Sequence, residues 1–195
     1  MTVAFFEKLK NKIKTQNSSL NKGEALFEQN NDVSKVFFIK SGRIKLIRHT
    51  VDGNPIILHI GQMGEFIAEA SLFSDRYHCS AIADQTSEVV SVIKKDFLTF
   101  LHENPHEMKI LLAIFANQVR DLRALNEIKN IKSANERILT FIRNNINSDK
   151  KIPINTSLKD IAYKIGLTHE TFYRELKKLE KSGIILRDDE SITLL

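Results

Sequence analysis

Cysteine is almost absent from this 195-residue chain, which contains a single one, Cys79. One thiol excludes an internal disulfide and any zinc or iron–sulfur site that needs several thiolates from one chain. Long apolar runs are also missing, since no stretch approaches the roughly 18 apolar residues needed to cross a bilayer. The basic N-terminal segment 1–14 is interrupted by charge and lacks the apolar core of a secretory signal. These absences predict a cytoplasmic protein with no membrane partner.

Sequence motifs of common catalytic sites are missing as well. The chain has no glycine-rich phosphate loop and no zinc-protease motif. His78 and Cys79 are neighbours, and neighbouring side chains of a strand point to opposite faces, so the two cannot form a pair of base and nucleophile. The sequence therefore predicts a protein that is not an enzyme and has no metal site.

Charge is plentiful but spread along the chain. The formal net charge is +5, which favours a polyanionic partner. Residues 133–195, however, contain 11 Lys or Arg against 9 Asp or Glu. Charge alone therefore does not establish nucleic-acid binding.

The length of the chain allows one or two domains, and two small ones fit better.

Short apolar runs separated by glycine dominate the N-terminal half. Five of the seven glycines lie between positions 23 and 64. The runs that predict strands are ALFEQ, KVFFIK, RIKLIRHTV, IILHI, CSAIA and EVVSVI. Asp52-Gly53 is a hairpin signal between two of them. This spacing of short antiparallel strands predicts a jelly-roll-like β-roll over residues 1–103.

A long helix is predicted to follow, over residues 104–132. Asn104 is expected to cap it, and Pro105 suits its first position. Apolar residues then recur at spacings of four and three, typical of a coiled-coil seam between two copies of the chain. These seam residues are Met108, Leu112, Phe115, Val119 and Leu122. The alternative is a helix packed on its own β domain, and the spacing does not separate the two.

A helix-turn-helix is predicted in a third region, residues 133–195. Ser157 is expected to cap the helix SLKDIAYKI, Gly166 to supply the left-handed residue of the turn, and Thr168 to cap the helix HETFYRELKKLEK. Two helices joined at this spacing are typical of the motif. Ser133 begins another predicted helix after a bend near Lys132.

Two further segments complete that region. Residues 147–155 are interpreted as a polar loop. Residues 183–195 are predicted to form a hairpin, the wing, with an acidic tip at Asp188-Asp189-Glu190. An acidic tip favours a turn that lies beside DNA rather than one inserted into it.

The second helix of the motif carries side chains suited to reading bases. Arg174 can donate two hydrogen bonds to guanine O6 and N7, and Glu170 can accept one from cytosine N4. Lys177 and Lys181, later in the helix, suit phosphates. The alternative is an ordinary surface helix with a Glu–Arg pair four residues apart. The position of the pair directly after the turn favours DNA reading.

Two segments resemble the CRP/FNR superfamily of bacterial transcription regulators. GEFIAEASLF at 64–73 is similar to its cyclic-nucleotide cassette, and GLTHETFYREL at 166–176 is similar to its recognition helix. The resemblance covers nearly the whole chain and implies an α+β fold of β-roll, long dimerisation helix and winged helix-turn-helix. It also implies a homodimer on a pseudo-palindromic double-stranded DNA site with half-sites related to TGTGA or TTGAT, and contact with RNA polymerase.

The implied DNA-reading residues depart from the family in two places. His169 stands where cyclic-AMP-responsive members have a second guanine-reading arginine. Tyr173 occupies a groove-facing position that is small in the best-known members. We therefore expect a shifted base preference. The implied DNA-binding residues are Ser157, Thr168, His169, Glu170, Tyr173, Arg174 and Lys177.

The implied nucleotide pocket departs more strongly. The cyclic-AMP branch uses a glutamate for the ribose, an arginine for the cyclic phosphate and a small hydroxyl residue beside it, and these positions match Glu69, Cys79 and Ser80. A thiol cannot replace the arginine, because a buried phosphate needs a charged partner. Two hydroxyl residues that bond adenine are likewise replaced here. The implied effector pocket is His59, Ala68, Glu69, Cys79, Ser80, Leu122 and Arg123. We expect that cyclic AMP is not the effector.

Other effectors stay open. Haem needs an axial ligand, and the candidates in the β domain are His49, His59, His78 and Cys79. An anionic metabolite held by Arg120 or Arg123 is a further option, as is a chain without a small effector. The competing function is a cyclic-nucleotide- or haem-binding sensor that acts only through protein contacts. Such a sensor would have no use for a helix-turn-helix.

Overall fold

A computed structural model describes residues 2–53, 55–153, 157–188 and 191–195. The chain divides into two compact units, Met1–Phe115 and Ala116–Leu195, called here the first and second unit. The predicted divisions after residues 103 and 132 stay predictions. Within the described residues, no helix combines the length and the apolar character that a membrane span requires.

The first unit contains two four-stranded antiparallel sheets. Its strands are β1 (Thr15–Leu20), β2 (Ala25–Phe27), β3 (Lys35–Ser41), β4 (Arg43–His49), β5 (Pro55–Gln62), β6 (Phe66–Ile67), β7 (Ser80–Ala83) and β8 (Ser87–Ile93). One sheet has the order β1-β8-β3-β6, and the other has the order β2-β7-β4-β5. The β4–β5 hairpin turns at Gly53, whose φ is +79°. The predicted β-roll is confirmed.

Three helices belong to the fold around this roll: α1 (Thr2–Lys10), α2 (Lys94–Glu103) and α3 (Pro105–Asn130). Strand β3 explains how they are held. Phe38 packs in the cluster that contains α1 and α2, and its ring stacks on Phe6 of α1 at 3.8 Å between centroids. Phe37 and Ile39 point the other way and pack against the second sheet. Because both faces of the strand are buried, its apolar residues form one continuous run.

Sequence reasoning missed α1, β1, β6 and α2. At the start of α3, Asn104 occupies the predicted cap position, where its carbonyl accepts from the N–H of Met108 at 3.1 Å, but its side chain makes other contacts. The helix does begin at Pro105 as predicted. The side chain of Asn104 instead donates from Nδ2 to the carbonyl of Phe100 at 2.7 Å, and its Oδ1 accepts from Lys12 Nζ at 3.0 Å. Helix α2, which the sequence did not predict, ends directly before Asn104. The side chain of Asn104 therefore caps the C-terminal end of α2.

The second unit combines the part of α3 after Phe115 with three further helices and a small sheet. Its further elements are α4 (Ala134–Asn145), β9 (Lys151–Pro153), α5 (Leu158–Lys164), α6 (His169–Lys181), β10 (Ile185–Arg187) and β11 (Ser191–Leu194). The strand order is β10-β11-β9, all antiparallel. Apolar residues from every one of these helices and strands share one buried core. The predicted terminal hairpin is confirmed as β10 and β11.

Two expectations for the second unit need comment. The polar loop over 147–155 is wrong in part, because Lys151–Pro153 form β9 and pair with β11. A strand of three residues is too short to show alternation in sequence. Of the acidic tip, Asp189 and Glu190 lie outside the described residues. The carboxylate of Asp188 accepts from the backbone N–H of Ser191 at 2.6 Å.

Candidate nucleic-acid interface

Local capping fixes the geometry of the helix-turn-helix. Ser157 Oγ accepts from the N–H of Asp160 at 3.1 Å, and Thr168 Oγ1 accepts from the N–H of Thr171 at 3.2 Å. Gly166 lies between the helices with φ at +70°, a conformation that side chains disfavour. The predicted caps and turn are confirmed. Each helix thus begins at a residue whose side chain satisfies an otherwise unpaired backbone donor.

Burial of one face determines which side chains of α6 point outward. Phe172, Leu176 and Leu179 are almost completely buried in the core of the second unit. The opposite face is exposed, and it combines the residues predicted from sequence with one additional lysine, Lys178. The predicted residues on this face are His169, Glu170, Tyr173, Arg174, Lys177 and Lys181. The structure therefore brings the predicted α6 residues together on one surface.

Glu175 is a functional candidate that sequence reasoning missed. Its Oε1 accepts from Arg174 Nε at 3.2 Å and from Lys178 Nζ at 2.8 Å. The hydrogen bonds from Lys178 and then Arg174 lower the pKa of this carboxyl below its ordinary value. The carboxylate is thus ionised at neutral pH, where it can pair with both cations. The available sequence signal was the three-residue spacing of Glu175 and Lys178 beside the apolar stripe.

Tyr173 links the recognition helix to the wing. Its ring lies 4.3 Å from that of His169, centroid to centroid, and the guanidinium carbon of Arg187 on β10 lies 6.0 Å from the tyrosine centroid. Arg187 also forms an ion pair with Glu180, in which Nε lies 3.2 Å from Oε1. These contacts hold the exposed tyrosine ring between a neighbour on its own helix and one on the wing.

Arg137 joins the helix-turn-helix corner to the segment that follows α3. Its Nε and Nη2 donate to the carbonyl of Ile131 at 3.1 and 2.6 Å, and its Nη1 donates to the carbonyl of Gly166 at 2.9 Å. The rigid fork of a guanidinium suits such simultaneous contacts. Sequence reasoning missed this residue, because one of its partners is 29 positions away.

The predicted effector residues of the first unit meet in a partly buried region. Glu69 begins a single 3-10 turn, Glu69–Ser71, after Ala68 with φ at +73°. Burial raises the pKa of the Glu69 carboxyl. Cys79 is buried, and its pKa is raised to about 11, mainly by burial and further by the Glu69 carboxylate. The thiol therefore stays protonated at neutral pH.

Arg48 is the cation that sequence reasoning missed in this region. It lowers the pKa of Cys79, opposing the larger effects. The available signal was the alternation of side chains on β4. The buried residues Leu46 and Ile44 lie two and four positions before Arg48 and therefore occupy the same face of the strand. Ser80, the predicted hydroxyl residue, accepts at Oγ from the N–H of Gln29 at 2.9 Å.

The histidines considered as haem ligands have partners within the roll. His59 Nε2 lies 2.8 Å from Glu65 Oε2, and His78 Nδ1 lies 2.9 Å from Ser71 Oγ. His49 is exposed at the end of β4. These contacts already hold two of the three imidazoles. The remaining predicted pocket residues, Leu122 and Arg123, are exposed on α3 in the second unit and stay a prediction.

Helix α3 exposes most of the predicted seam. The exposed fractions are 38% for Met108, 58% for Leu112, 46% for Val119 and 65% for Leu122. Phe115 is partly buried against the core of the first unit. Leu111 and Ile114, on a neighbouring face, are buried in that core. The part of α3 up to Phe115 therefore packs on the first unit, and the helix still presents exposed apolar side chains along its length.

Two family models match the chain. Residues 18–104 match the cyclic nucleotide-binding domain, and residues 136–195 match the Crp-like helix-turn-helix domain. Transcriptional activator protein anr of Pseudomonas aeruginosa is 25% identical over 183 residues, which cover 90% of this chain and 75% of that protein. Nitrogen fixation regulation protein FixK of Bradyrhizobium diazoefficiens is 26% identical over 180 residues, with coverage of 89% and 75%.

A solved structure agrees with these matches at the level of the fold. FixK2 from Bradyrhizobium japonicum superposes with a TM-score of 0.72 at 21% identity, covering 93% of each chain. The chain belongs to the CRP/FNR superfamily of bacterial transcription regulators. It is a transcription regulator with a sensor domain of the cyclic-nucleotide-binding type and a DNA-binding helix-turn-helix domain.

Proposed function

We propose that this regulator binds a pseudo-palindromic DNA site as a homodimer through α6, and that its β-roll responds to an effector other than cyclic AMP. The single observation that carries the DNA-reading part is the exposed face of α6. This face holds Glu170, Arg174 and Lys177 directly after a capped turn, while the opposite face is buried. A recognition helix needs this arrangement to enter a major groove.

The side chains of this face divide by their chemistry. Glu170 and Arg174 suit base edges, whereas Lys177 suits phosphates. His169 and Tyr173, whose ring planes are inclined by 48° with centroids 4.3 Å apart, form an aromatic pair near the start of the helix that also faces the groove. Residues Ser157 and Thr168 stand at helix N-termini, where backbone N–H groups favour phosphate oxygens.

Dimerisation through α3 follows from the exposed seam. Four large apolar side chains at heptad spacing are costly to leave in water, and pairing with a second copy buries them. A two-fold dimer places its two recognition helices at half-sites about one helical turn apart. As a transcription regulator, the dimer is further proposed to contact RNA polymerase. Slower electrophoretic migration of the protein–DNA complex when the polymerase is added would reveal this contact.

The effector proposal rests on the chemistry around Cys79. A protonated, buried thiol offers no positive charge to a cyclic phosphate, and burial of that phosphate without such a charge is unfavourable. The polar groups of Ser80, His59 and His78 have partners inside the roll. Cyclic AMP therefore lacks the charged contact that its family pocket supplies.

The test is the DNA affinity of the Arg174→Ala variant. We expect the wild-type protein to prefer a symmetric duplex of TGTGA or TTGAT type over a scrambled duplex at fixed salt. Loss of Arg174 should weaken binding to the preferred duplex about ten- to a hundredfold, because a bidentate base contact disappears. Binding to the scrambled duplex should change much less.

Arg143→Ala is the matched control, because Arg143 is exposed on α4 and loses the same charge. It should leave the preference between the duplexes intact. Equal wild-type affinity for all duplexes, or an Arg174→Ala variant with unchanged preference, would contradict the proposed function.

A further inference from the structure

We propose that Glu175 is a positioning residue for DNA recognition, whose carboxylate orients the guanidinium of Arg174 for base reading; this inference rests on the proposed function of α6. The residue does not face the groove itself. It acts by holding a neighbouring side chain that does.

The burial of Glu175 sets it apart from the other charged residues of the helix. Its side chain is 12% exposed, whereas those of its partners Arg174 and Lys178 are 62% and 61% exposed. It lies on the edge of the apolar stripe that contains Phe172 and Leu179. A carboxylate in such a position is unfavourable unless it is paired. The two cations provide that pairing from the exposed side.

The atoms used by the ion pair leave the base-reading donors of Arg174 available. The contact is made by Nε alone, at 3.2 Å from Glu175 Oε1. A guanidinium has five donors in one plane, so fixing Nε orients the plane while the Nη groups point to its other edges. Contact with guanine O6 and N7 needs two such donors.

Restriction of the side chain before binding is favourable for recognition. A free arginine loses rotamer freedom when it contacts a base, and an arginine already held in place loses less. Lys178 shares the same carboxylate oxygen at 2.8 Å, so the three residues carry a net positive charge of one. This charge keeps the cluster compatible with nearby phosphates.

A purely structural role is the alternative. The pair of Glu175 and Lys178, three residues apart, would stabilise α6 whether or not Arg174 is present. The two roles differ in their dependence on Arg174. A double-mutant cycle between Glu175 and Arg174 therefore separates them.

The experiment uses the full chain and a duplex pair that differs at one base pair. This base pair is the one whose substitution weakens binding of the wild-type protein but not of Arg174→Ala. Glu175→Met removes the acceptor and keeps an unbranched apolar side chain suited to a buried helix position. We expect it to reduce the discrimination ratio between the two duplexes about three- to tenfold. Glu175→Gln, which retains an acceptor oxygen, should restore most of the ratio.

Two comparisons make the result specific. In the Arg174→Ala background, Glu175→Met should leave the ratio unchanged. Lys178→Ala is the matched control, because it removes the other partner of the same carboxylate and should leave the ratio at this base pair near the wild-type value. Thermal unfolding of each variant checks the fold, and Glu175→Leu replaces Glu175→Met if the methionine variant does not fold.

Each outcome supports or overturns the proposal. If the wild-type protein discriminates between the two duplexes and Glu175→Met leaves the discrimination ratio unchanged, the role of Glu175 is overturned and the proposed function is not. An equal loss of affinity for both duplexes indicates a structural role and also overturns it. A wild-type protein without any discrimination overturns the proposed function and this inference together.

Discussion

The two units of this regulator differ in the environment that they provide for ionisable side chains. On α6 the cations Arg174, Lys177 and Lys178 are exposed, and the buried Glu175 is ionised and paired with two cations. In the β-roll, burial raises the pKa of Cys79 to about 11 and also raises the pKa of Glu69. The charged side chains of α6 are thus in contact with solvent, whereas burial favours the neutral forms of Glu69 and Cys79 in the β-roll.

This difference affects what each site can bind. The surface of α6 offers charge to a polyanion without rearrangement. In the β-roll, the phosphate position implied by the family resemblance is occupied by the neutral thiol of Cys79. Arg48 on β4 acts electrostatically on this thiol and lowers its pKa. The surface of α6 therefore carries the charges that the proposed DNA reading requires, whereas a thiol without positive charge stands at the implied phosphate position of the β-roll.

The largest effect should come from breaking the proposed dimer, which removes the reader's function and leaves the sensor intact. The double variant Leu112→Glu and Leu122→Glu introduces like charges into the exposed seam of α3. Because each half-site would then be bound separately, affinity for the symmetric duplex should fall on the order of a hundredfold or more. Sedimentation of the variant should show a monomer.

Ala113→Glu is the control for this variant, because Ala113 is exposed on the same helix but lies away from the seam. It should remain dimeric. Wild-type protein that sediments as a monomer at micromolar concentration, or a double variant that stays dimeric, would contradict the proposed seam.

A smaller effect is expected for Arg137→Ala, which tests whether the reader is held as a unit. The variant loses a charged donor from the carbonyls of Ile131 and Gly166. Hydrogen bonds of this kind contribute about 2 kcal/mol to the free energy of unfolding, so chemical denaturation should show a loss of that size. Arg143→Ala on the same helix should cost little. Equal stability of the two variants would show that the contacts of Arg137 are not strong.

The smallest effect should come from Glu69→Gln, and it should depend on pH. Burial raises the folded-state pKa of Glu69 above the unfolded value, so the ionised carboxylate destabilises the fold at neutral pH. This penalty is relieved as the pH falls through the folded pKa towards the unfolded one, where the wild-type carboxyl is itself neutral. The variant should therefore melt at a higher temperature than wild type at pH 7, with the gain shrinking under acid conditions.

Glu88→Gln is the control for the pH series, because Glu88 is exposed on β8. It should show no comparable gain at pH 7. A Glu69→Gln variant that is less stable than wild type at neutral pH would mean that the carboxylate is stabilised by partners rather than strained by burial.

Local patterns in the sequence predicted much of the fold. The caps Ser157 and Thr168 and the turn at Gly166 were predictable because each depends on residues within a few positions. The strands were predictable from short apolar runs, although the polar edge strand β1 and the three-residue β9 carry no such signal. Helices α1 and α2 are short, and beside the pattern of the neighbouring strands they gave no separate helical signal.

Long-range contacts explain what could not be predicted at the sites. The role of Arg137 depends on a carbonyl 29 residues away, and that of Arg187 depends on the packing of β10 beside α6. Arg48 acts on Cys79 from another strand. The sequence indicated the residues that are proposed to read DNA, but the partners that hold them become visible only in the folded structure.

The most direct test is titration of the purified protein against the preferred symmetric duplex with and without cyclic AMP, at fixed salt. We expect tight binding that is selective over a scrambled duplex and unchanged by the nucleotide, because the proposed base-reading face of α6 is exposed and Cys79 stands at the implied phosphate position. Binding that is enhanced by cyclic AMP would contradict this expectation, since the β-roll would then recognise the cyclic phosphate without a charged residue at that position.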